Sequence, residues 1–212
     1  MLKMIGGKND ISKQLFEYLY KMVSIVFLIF SFNACIKVAD NAELQTEKPY
    51  FDLPAFTKKQ IQVLTELSTN NTAPVVIKQV KIGDKEEEIT LIKGKDESYP
   101  LWKKELQLFE EADINKPVLL DAYEIIIEGS ETLYKAKYPD LEIQEMKITS
   151  FTGEVKEIGL KINTENYLYT SYKDLKMQLD NGIISEVYMD GFRKLVGNDS
   201  LTYQMVTQLT FQ

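Results

Sequence analysis

Histidine is absent from the whole 212-residue chain, and cysteine occurs once. The first absence removes Ser-His-Asp and Cys-His nucleophilic sites, imidazole general bases and His-ligated metals. The second removes intrachain disulfides and the cysteine clusters that hold zinc or iron–sulfur centres. Positive charge is also in deficit: 25 Lys and Arg face 32 Asp and Glu, for a net charge of −7. An acidic surface repels phosphate backbones, and no basic stretch is interleaved with aromatics, so nucleic acid is excluded as a partner. Gly-x-Gly-x-x-Gly and phosphate-loop patterns are missing, and with them the usual nucleotide cofactors. We expect no cofactor, no metal site and no catalytic residues. What remains is an ordinary globular balance, 44% hydrophobic and 27% charged, long enough for one domain with a real core.

No hydrophobic run is long enough to span a bilayer as a helix, which takes about 20 residues. The longest extends from Met22 to Phe32, preceded by Lys13 and Lys21, and ends on Asn33-Ala34-Cys35. A short apolar core behind lysines, closing on a small residue, has the form of a secretory signal. A small residue directly before the only cysteine resembles the lipobox of bacterial lipoproteins, in the looser form found in Bacteroidota. Phe32 and Asn33 depart from the common pattern of that box. The resemblance implies cleavage before Cys35 and lipid on its thiol. The leader carries four Lys against Asp10 and Glu17, so a chain beginning at Cys35 would carry about −9. We therefore divide the chain into a signal peptide (1–34), a lipidated cysteine with a polar tether (35–48) and a single domain (49–212).

Within the domain, Asp52-Leu53-Pro54 has the form of a helix start, with Asp52 as N-cap and Pro54 in the first turn. Leu53, Phe56, Val63, Leu64 and Leu67 follow at helical spacing. Val75 to Ile82 and Glu88 to Ile92 read as a hairpin around Gly83-Asp84. A second helix opens at Asp96 to Pro100, buries Leu101, Trp102, Leu106, Phe109 and Ala112, and stops at Asn115-Lys116-Pro117. Everything beyond is strand-like: 119–127, 132–138, 141–149, 155–162, a short piece at 167–170, 173–179, 183–189 and a final strand from Leu201 to Phe211. Thr152-Gly153 and Asp180-Asn181-Gly182 mark tight turns, because Asn-Gly tolerates positive φ. In the last strand Leu201, Tyr203, Met205, Leu209 and Phe211 share one face. No crossover helices separate the late strands, which argues against a parallel α/β fold. The expectation is an α+β fold: a large curved antiparallel β-sheet, built as a meander, with two helices packed against it.

The stretches Pro49–Phe56, Trp102–Pro117 and Leu168–Ser171 resemble a group of uncharacterised lipoproteins of Bacteroidota. That resemblance implies an address at the outer membrane, on its periplasmic face or at the cell surface, and no activity. The architecture is also similar to the lipoprotein-carrier fold, a half-open sheet closed by helices. The acidic clusters Glu86–Glu88 and Glu110, Glu111 and Asp113 read as solvated turns and helix faces, since no calcium-type loop surrounds them. The many sheet aromatics read first as core and cross-strand pairs. Two functions are open. The first is a non-enzymatic interaction or assembly subunit, using the last strand as an edge open to strand addition by an outer-membrane protein. The second is a carrier for an apolar ligand such as a lipid acyl chain, held in a pocket lined by Met177, Leu179, Tyr203 and Met205.

Overall fold

The computed structural model describes residues 48–69, 74–91 and 95–211, all of which belong to one compact unit. The signal, Cys35 and all of the tether except Lys48 lie outside the described residues. A single antiparallel sheet of nine strands runs through the domain: β1 (Val75–Ile82), β2 (Lys85–Leu91), β3 (Tyr123–Glu128), β4 (Glu131–Ala136), β5 (Ile143–Phe151), β6 (Glu154–Glu165), β7 (Tyr169–Asp180), β8 (Ile183–Leu195) and β9 (Ser200–Thr210). The order across the sheet is β2-β1-β9-β8-β7-β6-β5-β4-β3. From β3 to β9 it is a pure meander. The hairpin β1–β2 then docks on the far side of the last strand, with Val76 opposite Leu209 and Ile82 opposite Tyr203.

This docking corrects one expectation. The last strand is not an edge: β9 lies between β8 and β1, and the free edges are β2 and β3. Nothing local in the sequence announces the pairing, because β1 and β9 are more than a hundred residues apart and no turn links them. The turn chemistry, by contrast, is as the sequence indicates. Thr152 and Gly153, and Asn181 and Gly182, all have positive φ, the mirror-image turns that match strand twist.

Three helices, rather than two, cover one face of the sheet. α1 spans Leu53–Thr69. Asp52 caps it, its Oδ1 accepting from the Ala55 N–H at 3.3 Å. The buried stripe of α1 is Leu53, Thr57, Gln60, Ile61 and Leu64, rotated from the expected one. Gln60 is drawn inward because its Nε2 donates to the Gly182 carbonyl at 2.9 Å, tying the helix to the β7–β8 turn. The second expected helix divides into α2 (Lys95–Glu105) and α3 (Gln107–Glu111). Leu106, at φ −101° and ψ 5°, leaves the helical region between them. Trp102, Leu106, Phe109 and Ala112 are all buried on the two sides of this break. A 3₁₀ turn, Pro117–Leu119, replaces the expected start of a strand, so β3 begins at Tyr123. The piece at 167–170 is not separate either: from Tyr169 it is the start of β7. Among the described residues no helix is long and apolar enough to cross a membrane.

The strand faces alternate. We call the helix-covered side the inner face. Its core rows run Met146–Leu160–Leu175 and Ile148–Ile158–Met177–Val187 across neighbouring strands, all buried. The outer face is polar, with Glu145 paired to Lys161 at 2.7 Å and Tyr172 stacked on Phe192. At one end of the helix layer Tyr50 sits edge-on to Tyr123 and Tyr134, and its backbone is held by Asn115, which accepts from the Tyr50 N–H at 3.1 Å. The Tyr123 hydroxyl donates to the Ile143 carbonyl at 3.0 Å, and burial pushes its pKa up to about 12.

At the other end the buried Glu105 carboxylate, at the end of α2, pairs with Lys78 of β1 at 2.5 Å and accepts from Thr207 of β9 at 3.3 Å. One carboxylate thus joins the helix layer to both strands of the non-local seam. Removing one member of a buried pair strands the other charge, at a cost of about 3–5 kcal/mol, whereas replacing both with apolar groups of similar volume costs little. Lys78→Met should therefore destabilise the domain by about 3 kcal/mol. Lys78→Met combined with Glu105→Leu should recover most of that loss in urea unfolding, and additive losses would contradict the pairing.

Candidate functional site

The strands β7, β8 and β9 contain 12, 13 and 11 residues, and their buried apolar positions stop short of one end. Along β7 the inner positions Leu179, Met177 and Leu175 are buried, and the next is the half-buried Lys173. Beyond that point the inner face continues with no helix over it among the described residues. It forms an open cleft of about 540 Å³.

The register builds the cleft in three rows. Lys173, Gly191, Tyr203 and Ile82 face one another across β7, β8, β9 and β1. Ser171, Arg193 and Leu201 form the next row, and Tyr169 and Leu195 the last. Gly191 makes the floor possible. A Cβ there would lie 2.4 Å from the Tyr172 carbonyl oxygen and 2.8 Å from the Tyr203 hydroxyl oxygen. The missing side chain lets the Tyr203 ring lie across β8, with its hydroxyl toward Ser171 of β7. Burial raises the Tyr203 pKa and the Asp190 charge adds to the rise, while the Ser171 hydroxyl and the Arg193 charge pull it the other way. The phenol is thus protonated at neutral pH and available as a donor.

The electrostatics of the cleft are one-sided. Lys173 and Arg193 line it, and no described Asp or Glu does. Among the described residues neither cation takes part in an ion pair. Arg193 is the only arginine in the chain. A second depression, of about 270 Å³ on the outer face over Gly159, makes the contrast clear. There Glu145, Glu157 and Asp174 are interleaved with Lys147, Lys161 and Lys176. That site neutralises itself, and the inner cleft does not.

Four residues were expected to line an apolar pocket. Met177 and Leu179 are buried in the core, and Met205 is half-buried opposite Met189. Tyr203 alone of the four lines the open cleft. The sequence reading missed Lys173, Arg193 and Ser171. A signal was present: Lys173 and Arg193 fall on the inward parity of strands whose other inward residues, Leu175 and Met177 or Val187 and Met189, are apolar. Among the described residues no group of three or more His, Cys, Asp or Glu is placed to hold a metal. No protein-family model, curated protein or solved structure matches the chain, so the site is read from its own chemistry.

The two interior glycines give a paired test of this geometry. Gly191→Ala forces a backbone shift and should cost about 2 kcal/mol, as overpacking does. At Gly159 a Cβ would meet Lys147 Cβ at 3.9 Å, an ordinary contact. Gly159→Ala should therefore stay within about 0.5 kcal/mol of the parent, or stabilise it slightly, in urea unfolding.

Proposed function

We propose that this chain is a lipid-anchored envelope lipoprotein whose domain is a non-enzymatic binding module, taking its ligand at the open end of the inner sheet face. The observation that carries the reading is the cleft itself: concave, ligand-sized, apolar in most of its lining and furnished with a few polar groups that converge. The anchor rests on Cys35 and the signal-like run before it. The address, at the outer membrane on its periplasmic face or at the cell surface, rests on the resemblance to Bacteroidota lipoproteins. The absence of histidine supports the non-enzymatic reading. So does Lys173, which makes no hydrogen bond to Ser171 among the described residues and so gives it no general base.

The assembly reading loses its first motive, since β9 is paired on both sides. It keeps a second one. β3 is a free edge, with Ile125 and Ile127 exposed at 45% and 72%, and an outer-membrane protein could add a strand there.

Two measurements test the proposal together. An alkyne-palmitate fed to expressing cells should label the parent chain and leave Cys35→Ser unlabelled. Native mass spectrometry of residues 36–212 from a periplasm should show a reproducible added mass of small-molecule size. A bare polypeptide that crosslinks through β3 to a second protein would favour the assembly reading instead.

A further inference from the structure

We propose that the occupant of the cleft is a long-chain carboxylate, its head held by Arg193 and Lys173 and its chain lying on Leu195, Leu201 and Ile82. This rests on the binding-module reading above and names its ligand class.

The head follows from charge placement. None of the described acidic residues lines the cleft, where Lys173 and Arg193 stand without ion pairs among the described residues. The two cations stand on adjacent strands, diagonal to each other across the Ser171–Arg193 and Lys173–Gly191 pairs, a spacing of about 7–8 Å between backbone positions. Both long side chains can reach one anion held between them. A guanidinium offers two parallel N–H donors that match a carboxylate, and an ammonium adds a point charge beside it. Tyr203, protonated at neutral pH, supplies a neutral donor at the same level.

The chain follows from the rest of the lining. Leu195, Leu201 and Ile82 are exposed at 41%, 42% and 48%, on a sheet face that is fully buried a few residues away. A free inorganic anion would use none of this surface, nor most of the 540 Å³. The apolar surface continues past the cleft. Tyr167 and Val196 are among the most exposed apolar side chains of the described residues, at 85% and 74%. Their turns are joined by the Val196 N–H donating to the Leu168 carbonyl at 2.9 Å. This apolar rim gives a hydrocarbon tail somewhere to run once the head is fixed.

The test uses the full chain in phosphatidylcholine vesicles with a palmitate analogue that carries a photoactivated diazirine in its tail. Adducts are located by peptide mass spectrometry. The proposal expects adducts on the segment that contains Leu195 and Leu201, suppressed by excess dodecanoate and unaffected by dodecanol or inorganic phosphate. Lys173→Gln with Arg193→Gln should lower the yield by about tenfold, the worth of one charge-assisted bond. The competition arms need no variant, so they decide the matter even if that variant folds poorly. Equal suppression by dodecanol overturns the carboxylate head and leaves the binding module standing. Suppression by phosphate alone overturns the hydrocarbon tail. Adducts spread over the chain, with none concentrated at the cleft, overturn both the ligand class and the site.

Discussion

The helix layer is too short for the sheet it covers, and the functional account depends on that mismatch. A 12-residue strand such as β7 extends about 40 Å, and a 17-residue helix about 25 Å. Among the described residues, helical cover protects the rows from Leu175 to Leu179 and ends there. The inward positions beyond are still organised by strand pairing, so they remain a defined surface without being core. A cleft built in this way has a floor fixed by strand pairing across β7, β8, β9 and β1 and is open above among the described residues. Such a surface suits recognition by fixed side chains better than a loop would.

The second dependence is the non-local seam. The meander from β3 to β9 is local in sequence, each strand pairing with the next. The pairing of β1 with β9 is not local, and it must form before the fourth strand of the cleft, with Ile82, exists at all. Glu105 stands where the helices, β1 and β9 meet. A buried carboxylate is a costly way to gain stability. Its placement gives register to a seam that no turn specifies, since only one alignment brings Lys78 and Thr207 under the same carboxylate.

Much of this architecture was legible in the sequence. The Asp52 cap, the Asn181-Gly182 and Thr152-Gly153 turns and the alternation of β9 each act within a few residues, where propensity and pattern decide the outcome. What escaped was set at a distance. The rotated stripe of α1 follows from a bond between Gln60 and Gly182, which lies in the β7–β8 turn, 122 residues away in sequence. The break at Leu106 resolves the demand that Trp102, Leu106 and Phe109 all be buried. The β9 edge was misread because its neighbour comes from the other end of the chain. At the site, Tyr203 was singled out for its aromatic ring. Lys173 and Arg193 were passed over because a charge on an apolar parity reads as noise unless one knows that the helices stop short.

The account's central claim is that the inner face is covered over Met177 and open at Leu201. The most direct test is thiol labelling in a chain whose Cys35 has been replaced by Ala, with one cysteine introduced at either position. Leu201→Cys should react with a water-soluble maleimide in the native chain at close to the rate of a free thiol. Met177→Cys should stay protected until the domain is unfolded. Equal protection at both positions would mean that the open end is covered, and the cleft would not be a site.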